Sequence, residues 1–211
     1  MLKKNIKYPT LREEGKLWKK GYRYIAGVDE AGCGCWAGPV VSAAVILSPD
    51  FNDPGVRDSK MLTGLKRERY YDIIIKEALD YAIGEASESE IDFFGLGRAR
   101  TMSFERALGK LRIRPDYALI DGNNLKIRKY LYQTIIRGDQ IVKSIACASI
   151  LAKVYRDHKI IKLAEKYPGY GFSSNKGYGT KEHIDGLLKQ GVCAIHRQSY
   201  RPIKQIINKN N

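Results

Sequence analysis

The chain has 211 residues, of which 44% are hydrophobic and 28% are charged, and its formal net charge is +14. This composition excludes an intrinsically disordered chain, and the length predicts one main domain with at most a small appendage. The longest apolar run, residues 38–47, is too short to cross a bilayer, and the N-terminal residues lack the apolar segment of a secretory signal. We therefore expect a cytoplasmic protein without a membrane partner.

The positive charge is concentrated in the second half of the chain. Residues 1–121 contain 20 Lys and Arg against 18 Asp and Glu, whereas residues 122–211 contain 17 against 5. A strongly basic half favours a polyanionic partner, above all nucleic acid. A solvated basic surface that only keeps the protein soluble is the alternative.

The predicted elements alternate between extended and helical segments. Apolar residues predict strands over 24–30 and 38–48, and the glycines between them indicate a hairpin. Helical spacing of apolar residues predicts a helix over 63–81, and Ser87 three residues before Glu90 is typical of a helix N-terminus. In chain order, the other predicted elements are a strand over 81–86, a helix over 97–111, a strand ending at Asp121, an extended run over 131–136, a helix over 144–166, a Gly- and Tyr-rich loop, a helix over 181–189 and a basic tail. This order predicts an α/β fold, in which helices pack on a mixed sheet.

Four acidic residues lie where predicted strands end. Asp29 and Glu30 end the first strand, Asp121 ends a later one, and Asp139 follows the extended run. Side chains at the ends of strands in one sheet can meet in a common crevice. Four carboxylates repel one another, and an all-oxygen set favours Mg²⁺ or Mn²⁺, two of which can promote phosphodiester hydrolysis. Each acid taken singly is also ordinary for a turn that follows a strand.

The cysteines offer an alternative candidate metal site, for zinc. Its ligands would be Cys33, Cys35 and Cys193 with His196. The Cys-x-Cys spacing is atypical of structural zinc sites, which place two to four residues between their cysteines. Reduced thiols, Cys147 included, are the expectation in a cytoplasmic protein.

Six motifs, in order, resemble the ribonuclease HII family, the bacterial type 2 ribonucleases H. They are GVDEAG followed by AGPVVSAAVIL, then DSK-x-L, LIDGN, GD followed by SIACASILAKVYRD, GYGF with KGYGT, and HR-x-S. The resemblance extends from Leu11 to Pro202. It implies an RNase H-like catalytic domain, a five-stranded mixed sheet flanked by helices, over residues 1–166 with a lead-in over 1–22. It also implies a C-terminal helical extension over 167–211 that helps to hold the substrate.

The resemblance further implies metal-dependent endonucleolytic cleavage of RNA in RNA–DNA hybrids and incision 5′ to single ribonucleotides embedded in duplex DNA. The products would carry 3′-hydroxyl and 5′-phosphate ends, and the cofactor would be two Mg²⁺ or Mn²⁺ ions. Such an enzyme acts in ribonucleotide excision repair and DNA replication. No sequence feature indicates a dimer surface, so a monomer is expected.

Site residues follow from the same resemblance. The catalytic and metal-binding acids of the family correspond to Asp29, Glu30, Asp121 and Asp139. Asp157, which follows Arg156, is the other candidate for the fourth acid, and we expect it to form a structural ion pair instead. The resemblance implies that the backbone of the turn Gly32, Cys33 and Gly34 grips a 2′-hydroxyl and that Tyr178 packs on the sugar beside the junction. The candidate phosphate contacts are Lys60, Lys153, Lys176 and Arg197, each of which, taken singly, is equally expected as a solvated cation.

The turn after the paired acids departs from the family pattern. The family usually has Arg and Pro where this chain has Cys33 and Cys35. Loss of the arginine charge predicts weaker recognition of a lone ribonucleotide and a smaller salt dependence of binding. Nearby acids are expected to raise the pKa of the Cys33 thiol. The alternatives are an enzyme active mainly on long hybrids, as ribonuclease HIII is, or a protein that only binds nucleic acid.

Overall fold

A computed structural model describes residues 8–123 and 125–210 of the protein. Its five strands are β1 (Ile25–Ala31), β2 (Val40–Ile46), β3 (Asp80–Ala86), β4 (Tyr117–Asp121) and β5 (Tyr132–Ile135). They form one sheet in the order β3-β2-β1-β4-β5. The pairs β3-β2 and β2-β1 are antiparallel, whereas β1-β4 and β4-β5 are parallel. The predicted mixed five-stranded sheet is confirmed, and the first seven residues of the predicted lead-in lie outside the described residues.

The described part of the chain contains eight helices. They are α1 (Arg12–Trp18), α2 (Gly64–Glu77), α3 (Glu88–Phe94), α4 (Leu96–Gly109), α5 (Lys143–Lys166), α6 (Phe172–Asn175), α7 (Lys181–Gln190) and α8 (Arg201–Asn210). The four predicted helices correspond to α2, α4, α5 and α7, and Ser87 caps α3 together with Glu90. α8 takes the place of the predicted tail because Ile203, Ile206 and Ile207 recur at helical spacing and pack against the C-terminal part. None of the helices within these residues is long and apolar enough to cross a membrane.

Helices cover both faces of the sheet. Alternate residues of β2 point to opposite faces, so that Ala43 packs against α5 and α2, whereas Ala44 packs against α4. Gly27 lets α5 approach β1 closely, because a Cβ atom there would lie 2.2 Å from the backbone of Ser144. The two buried apolar layers confirm the predicted α/β architecture.

The C-terminal part of the chain has an apolar cluster of its own. This cluster combines Ile160 of α5 with Tyr170, Phe172 and Leu187, and it includes Ala37 from the turn after β1. The 24-residue helix α5 therefore extends from the sheet to the C-terminal part and joins the two. The division of the chain at residue 166 stays a prediction.

Candidate active site

The carboxyl ends of β1 and β4 meet at one edge of the sheet. The two strands are parallel neighbours, so Asp29 near the end of β1 and Asp121 at the end of β4 lie in one crevice. Asp139 lies in a 3-10 turn between β5 and α5. The charges of Glu30, Asp121 and Asp139 all act on Asp29. The fold thus brings the four predicted acids together, although they are up to 110 residues apart in the chain.

Backbone N–H groups hold two of these carboxylates. Asp29 Oδ1 accepts a hydrogen bond of 2.7 Å from the amide of Glu30, and Asp121 Oδ1 accepts one of 2.6 Å from the amide of Gly138. Burial raises the pKa of Asp29 well above its ordinary range, and the charges of Glu30 and Asp121 raise it further. A carboxyl group perturbed in this way inside a crevice is typical of a functional site.

Glu30 is paired with an arginine that the sequence analysis does not single out. Arg100 Nε lies 3.0 Å from Glu30 Oε1, and Arg100 Nη2 donates to the backbone oxygen of Asp121 at 3.0 Å. Burial raises the pKa of Glu30, whereas the charge of Arg100 lowers it. Glu30 Oε2 is buried without a hydrogen-bond partner among the described residues. This oxygen is therefore free to accept a ligand.

Asp139 lies beside a second acid and a lysine. Burial raises the pKa of Asp139 to about 6, the charges of Asp58 and Asp121 raise it too, and Lys60 lowers it. Lys60 Nζ lies 3.9 Å from Asp139 Oδ2. Asp58 is buried and accepts a hydrogen bond from the amide of Lys60 at 2.9 Å. Asp58 belongs to the DSK motif, in which a role was expected only for the lysine.

The donor chemistry of this crevice fits a divalent cation. Like charges and burial oppose ionisation of Asp29, Glu30 and Asp139, and a cation would favour the charged forms. Oxygen-only ligands suit Mg²⁺ and Mn²⁺, and Glu30 Oε2 has no competing donor among the described residues. Within residues 8–123 and 125–210, no three His, Cys, Asp or Glu side chains are already arranged as a ligand set. The acids are therefore neighbours rather than a preformed cage.

The zinc alternative has no support in the structure. Both ring nitrogens of His196 are hydrogen-bonded, Nε2 to His183 and Nδ1 to the backbone of Cys193. Cys33 Sγ instead contacts Glu30 Oε1 at 3.5 Å. Burial raises the pKa of the Cys33 thiol to about 12, and the charge of Glu30 raises it further. The predicted increase in the thiol pKa is correct, but burial, which the sequence does not reveal, is a larger cause than the nearby acid.

The prediction that Arg197 contacts phosphate is wrong. Its side chain is fully buried, with 0% exposure, and its guanidinium donates to the backbone oxygens of Gly32, Cys33 and Gly38 at 2.7–3.1 Å and to the hydroxyl of Tyr200. A buried cation without a carboxylate partner is stable only when such dipoles replace water. Arg197 therefore holds the shape of the turn from the inside.

Arg156 supports the same turn from α5. It is fully buried and donates to the backbone oxygens of Ala37, Pro39 and Lys176 at 2.9–3.0 Å. Arg156 is therefore not the partner of Asp157, but the structural ion pair predicted for Asp157 is confirmed. Asp157 pairs instead with Lys153 at 2.8 Å, one helical turn earlier in α5.

Two arginines thus bind the carbonyl groups of the turn formed by residues 32–38. Gly32 has φ +97°, and a Cβ atom there would lie 2.1 Å from Arg156 Nε. Only glycine meets both conditions without a shift of the arginine. The amides of Cys33 and Gly34 donate to no other described residue. The turn therefore presents two N–H groups that have no acceptor among the described residues.

Tyr178 faces this turn. Its ring is 42% exposed, and the Cβ position of Gly34 lies 3.9 Å from Tyr178 Cε1. Lys153 Nζ lies 5.7 Å from the centre of the ring. Lys176 has φ +53° two residues earlier, and its Nζ contacts the backbone oxygen of Ser173. Lys60, with an 82% exposed side chain, is the predicted phosphate contact that lies at the acids.

Comparison with known proteins indicates one family. The family model for ribonuclease HII matches residues 26–203. A ribonuclease HII of Desulfitobacterium hafniense (strain DSM 10664 / DCB-2) is 49% identical over 92% of this chain and 75% of its own length. One of Caldicellulosiruptor bescii is 46% identical over 92% of this chain and 94% of its own length. The crystal structure of ribonuclease H2 from Pyrococcus horikoshii OT3 superposes with a TM-score of 0.76 at 26% identity, covering 89% of this chain and 98% of that one.

Proposed function

The chain belongs to the ribonuclease HII family, endoribonucleases that act on RNA–DNA hybrids, and on that premise we propose that it also incises duplex DNA 5′ to a single embedded ribonucleotide. The products of this incision carry a 3′-hydroxyl and a 5′-phosphate. The observation that carries the proposal is the position of the four acids beside a turn that offers two free amides and an exposed tyrosine. The four acids suit phosphodiester hydrolysis, and the turn with the tyrosine suits recognition of a ribose.

Asp29, Glu30, Asp121 and Asp139 are the proposed catalytic residues and the ligands of Mg²⁺ or Mn²⁺. When bound there, two such ions supply an activated water and stabilise the leaving oxygen of the phosphodiester. The ion pair with Arg100 orients Glu30 and leaves Oε2 available. The amide of Gly138 orients Asp121 through its hydrogen bond to Oδ1.

The turn and Tyr178 are the groups that we propose to recognise the ribose. The amides of Cys33 and Gly34 are donors for a 2′-hydroxyl, which is the group that separates RNA from DNA. The ring of Tyr178 stacks on the neighbouring deoxyribose and disfavours a second 2′-hydroxyl there. Lys60 and Lys153 are exposed or half-buried cations next to these groups, and they contribute contacts with phosphate.

Cys33 weakens this recognition without removing it. Its side chain is directed to Glu30 and bears no charge, because the pKa of the thiol is raised to about 12 by burial. The backbone of the turn keeps its shape through the two arginines. We therefore propose an active enzyme whose affinity for a lone ribonucleotide is reduced, rather than a protein that only binds nucleic acid.

Cleavage of two labelled substrates tests the proposal. One is duplex DNA with a single embedded ribonucleotide, and the other is a continuous RNA–DNA hybrid, each incubated with Mg²⁺, Mn²⁺ or EDTA. We expect metal-dependent incision of both, and Asp121→Asn should lower the rate by at least about 100-fold, the scale of losing one preorganised electrostatic group.

The two substrates separate the alternatives. Cleavage of the hybrid alone would reject the proposed incision at a lone ribonucleotide and would favour an enzyme of long hybrids. Tight binding of both substrates without cleavage of either, in Mg²⁺ and in Mn²⁺, would favour a binding protein. End-labelling of the products decides whether the 5′ fragment carries the 3′-hydroxyl.

A further inference from the structure

Two buried histidines connect the C-terminal part of the chain to the loop that bears Tyr178. His183 lies on α7, and His196 lies in the segment between α7 and α8; their side chains are 0% and 1% exposed. The two Nε2 atoms lie 3.0 Å apart. The nuclease chemistry described above makes no use of this pair.

The hydrogen bonds of the pair specify both tautomers. The backbone oxygen of Tyr178 can only accept, so His183 Nδ1, at 2.9 Å, must carry a proton and donate. The backbone amide of Cys193 donates to His196 Nδ1 at 2.8 Å, and the same nitrogen lies 3.2 Å from the backbone oxygen of Cys193. The shorter contact makes Nδ1 the acceptor, so His196 Nε2 carries the proton, which also matches the unprotonated Nε2 of His183. His196 Nε2 therefore donates to His183 Nε2. A continuous chain of donors runs from Cys193 to Tyr178 only when both rings are neutral.

The surroundings keep the rings neutral. Both imidazoles pack against Tyr170 and Phe172, with centroids 4.9–6.3 Å apart, and His183 also packs against Trp36. Burial lowers the pKa of His183, and burial together with His183 lowers the pKa of His196 to about 4. The titratable groups that face the pair are Tyr170 and Cys193; burial raises the pKa of each, so both stay neutral below pH 8.

The same segment is also bound to the turn that reads the ribose. Ala37 and His196 form a β-bridge, and the amide of Gly38 donates to the oxygen of Ile195 at 2.9 Å. The amide of Arg197 donates to the oxygen of Trp36 at 2.8 Å. His196 is therefore fixed to the turn through its backbone, and its side chain reaches Tyr178 through His183.

We propose that the His183–His196 pair positions Tyr178 against the turn of residues 32–38 and thereby sets the preference for a ribonucleotide–deoxyribonucleotide junction. This inference rests on the proposed function, because the junction preference is measured as incision at a lone ribonucleotide. His183 and His196 are positioning residues: they lie behind the tyrosine, and neither touches the acids. Protonation of either ring removes one donor–acceptor match, so acid loosens the tyrosine before it affects the sheet.

Histidine NMR tests the pair without any measurement of activity. The chain has only three histidines, and His158, which is half-exposed beside Glu68, provides an internal reference. We expect ring nitrogen shifts of a neutral Nδ1–H tautomer for His183 and a neutral Nε2–H tautomer for His196 at pH 7. An opposite tautomer for either ring, or a pair that carries a charge at pH 7, would overturn the proposal.

Kinetics test the link to Tyr178. His183→Leu removes the side-chain donor to the Tyr178 oxygen, which keeps the backbone amide of Thr180 at 2.8 Å. His183→Asn restores a donor near the position of Nδ1, and His158→Gln is the matched control. Against the lone-ribonucleotide substrate, His183→Leu should lower kcat/KM about tenfold, within the range known for small misplacements of a binding group. His183→Asn should recover most of the loss. Cleavage of the continuous hybrid should fall less than about threefold.

A double substitution distinguishes positioning from a general effect on folding. In a Tyr178→Ala background, His183→Leu should change the selectivity between the two substrates no further, because the group that it positions is absent. Additive losses, or equal losses on both substrates, would reject positioning. If the unaltered protein fails to incise the lone ribonucleotide, the proposed function fails, whereas the NMR result still decides whether the pair exists as described.

Discussion

Buried polar groups lie among like charges in the crevice of the four acids, whereas they are matched by hydrogen-bond partners in the C-terminal part. In the crevice, burial and like charges raise the pKa values of Asp29, Glu30 and Asp139, and one oxygen of Glu30 has no partner among the described residues. In the C-terminal part, Arg197 and the His pair have their donors matched by acceptors.

This difference shows which region of the folded protein is destabilised by its own charges. Buried like charges destabilise the folded state, and they are retained where a cation and a substrate arrive later. A fully satisfied polar network instead makes a region rigid and specifies one conformation. Phosphodiester hydrolysis thus depends on the crevice, and recognition of the ribose depends on the neighbouring C-terminal part. The two regions have contrasting electrostatics.

The largest expected effect is on the crevice. Asp29→Asn keeps the shape of the side chain but removes one of the repelling charges, so activity should fall at least about 100-fold. In the presence of EDTA the free energy of unfolding should rise, by about 1 kcal/mol, as urea titrations would measure. A variant that is inactive and also less stable in EDTA would contradict the contrast between the two regions.

The opposite result is expected for the C-terminal part. Arg197→Met would remove the guanidinium donors from the backbone oxygens of Gly32, Cys33 and Gly38, of which Cys33 keeps the Tyr200 hydroxyl, and Gly32 keeps the amide of Cys35. The free energy of unfolding should fall by about 3 kcal/mol. Arg201→Met, on an exposed position of α8, is the matched control and should change it by less than about 0.5 kcal/mol. Equal stabilities of the two variants in urea would show that the turn does not depend on Arg197.

Acid should weaken the C-terminal part through His196. Its pKa is about 4 in the folded protein because of burial, whereas it is about 6.5 in an unfolded chain. The unfolded state therefore binds the proton first, and stability should fall by about 2 kcal/mol between pH 7 and pH 5. The decline ends near the folded pKa. His196→Gln should flatten this dependence of the urea midpoint, and an unchanged dependence in this variant would show that His196 is not the group responsible.

The smallest expected effect concerns the turn between the two regions. Cys33→Arg adds a charge beside the proposed phosphate site, so binding of the lone-ribonucleotide duplex should tighten about threefold to tenfold. The plot of log K against log salt should steepen by about 0.9, the value for one additional phosphate contact. Cys33→Ser, which adds no charge, is the control. Unchanged salt slopes for both variants would show that position 33 does not contact phosphate.

Residues that were mispredicted lie in the regions where distant segments meet. Arg197 follows a histidine in a basic part of the chain, which favours a phosphate contact, but its acceptors lie about 160 residues earlier. Arg100 pairs with Glu30 from a helix whose own sequence gives no indication of it. The helices α1 and α8 were missed because their apolar faces are short and become meaningful only against the surface that they cover.

The sequence by itself determined the order of the elements, the mixed sheet and the places of the four acids. Strand periodicity and the residues at strand ends are local properties, so they can be read without knowledge of the fold. Only the tertiary structure decided which polar groups are buried and which donors meet them, because burial and hydrogen bonding between distant residues depend on packing. That distinction separates Lys60, a surface cation at the acids, from Arg197, a buried support of the turn.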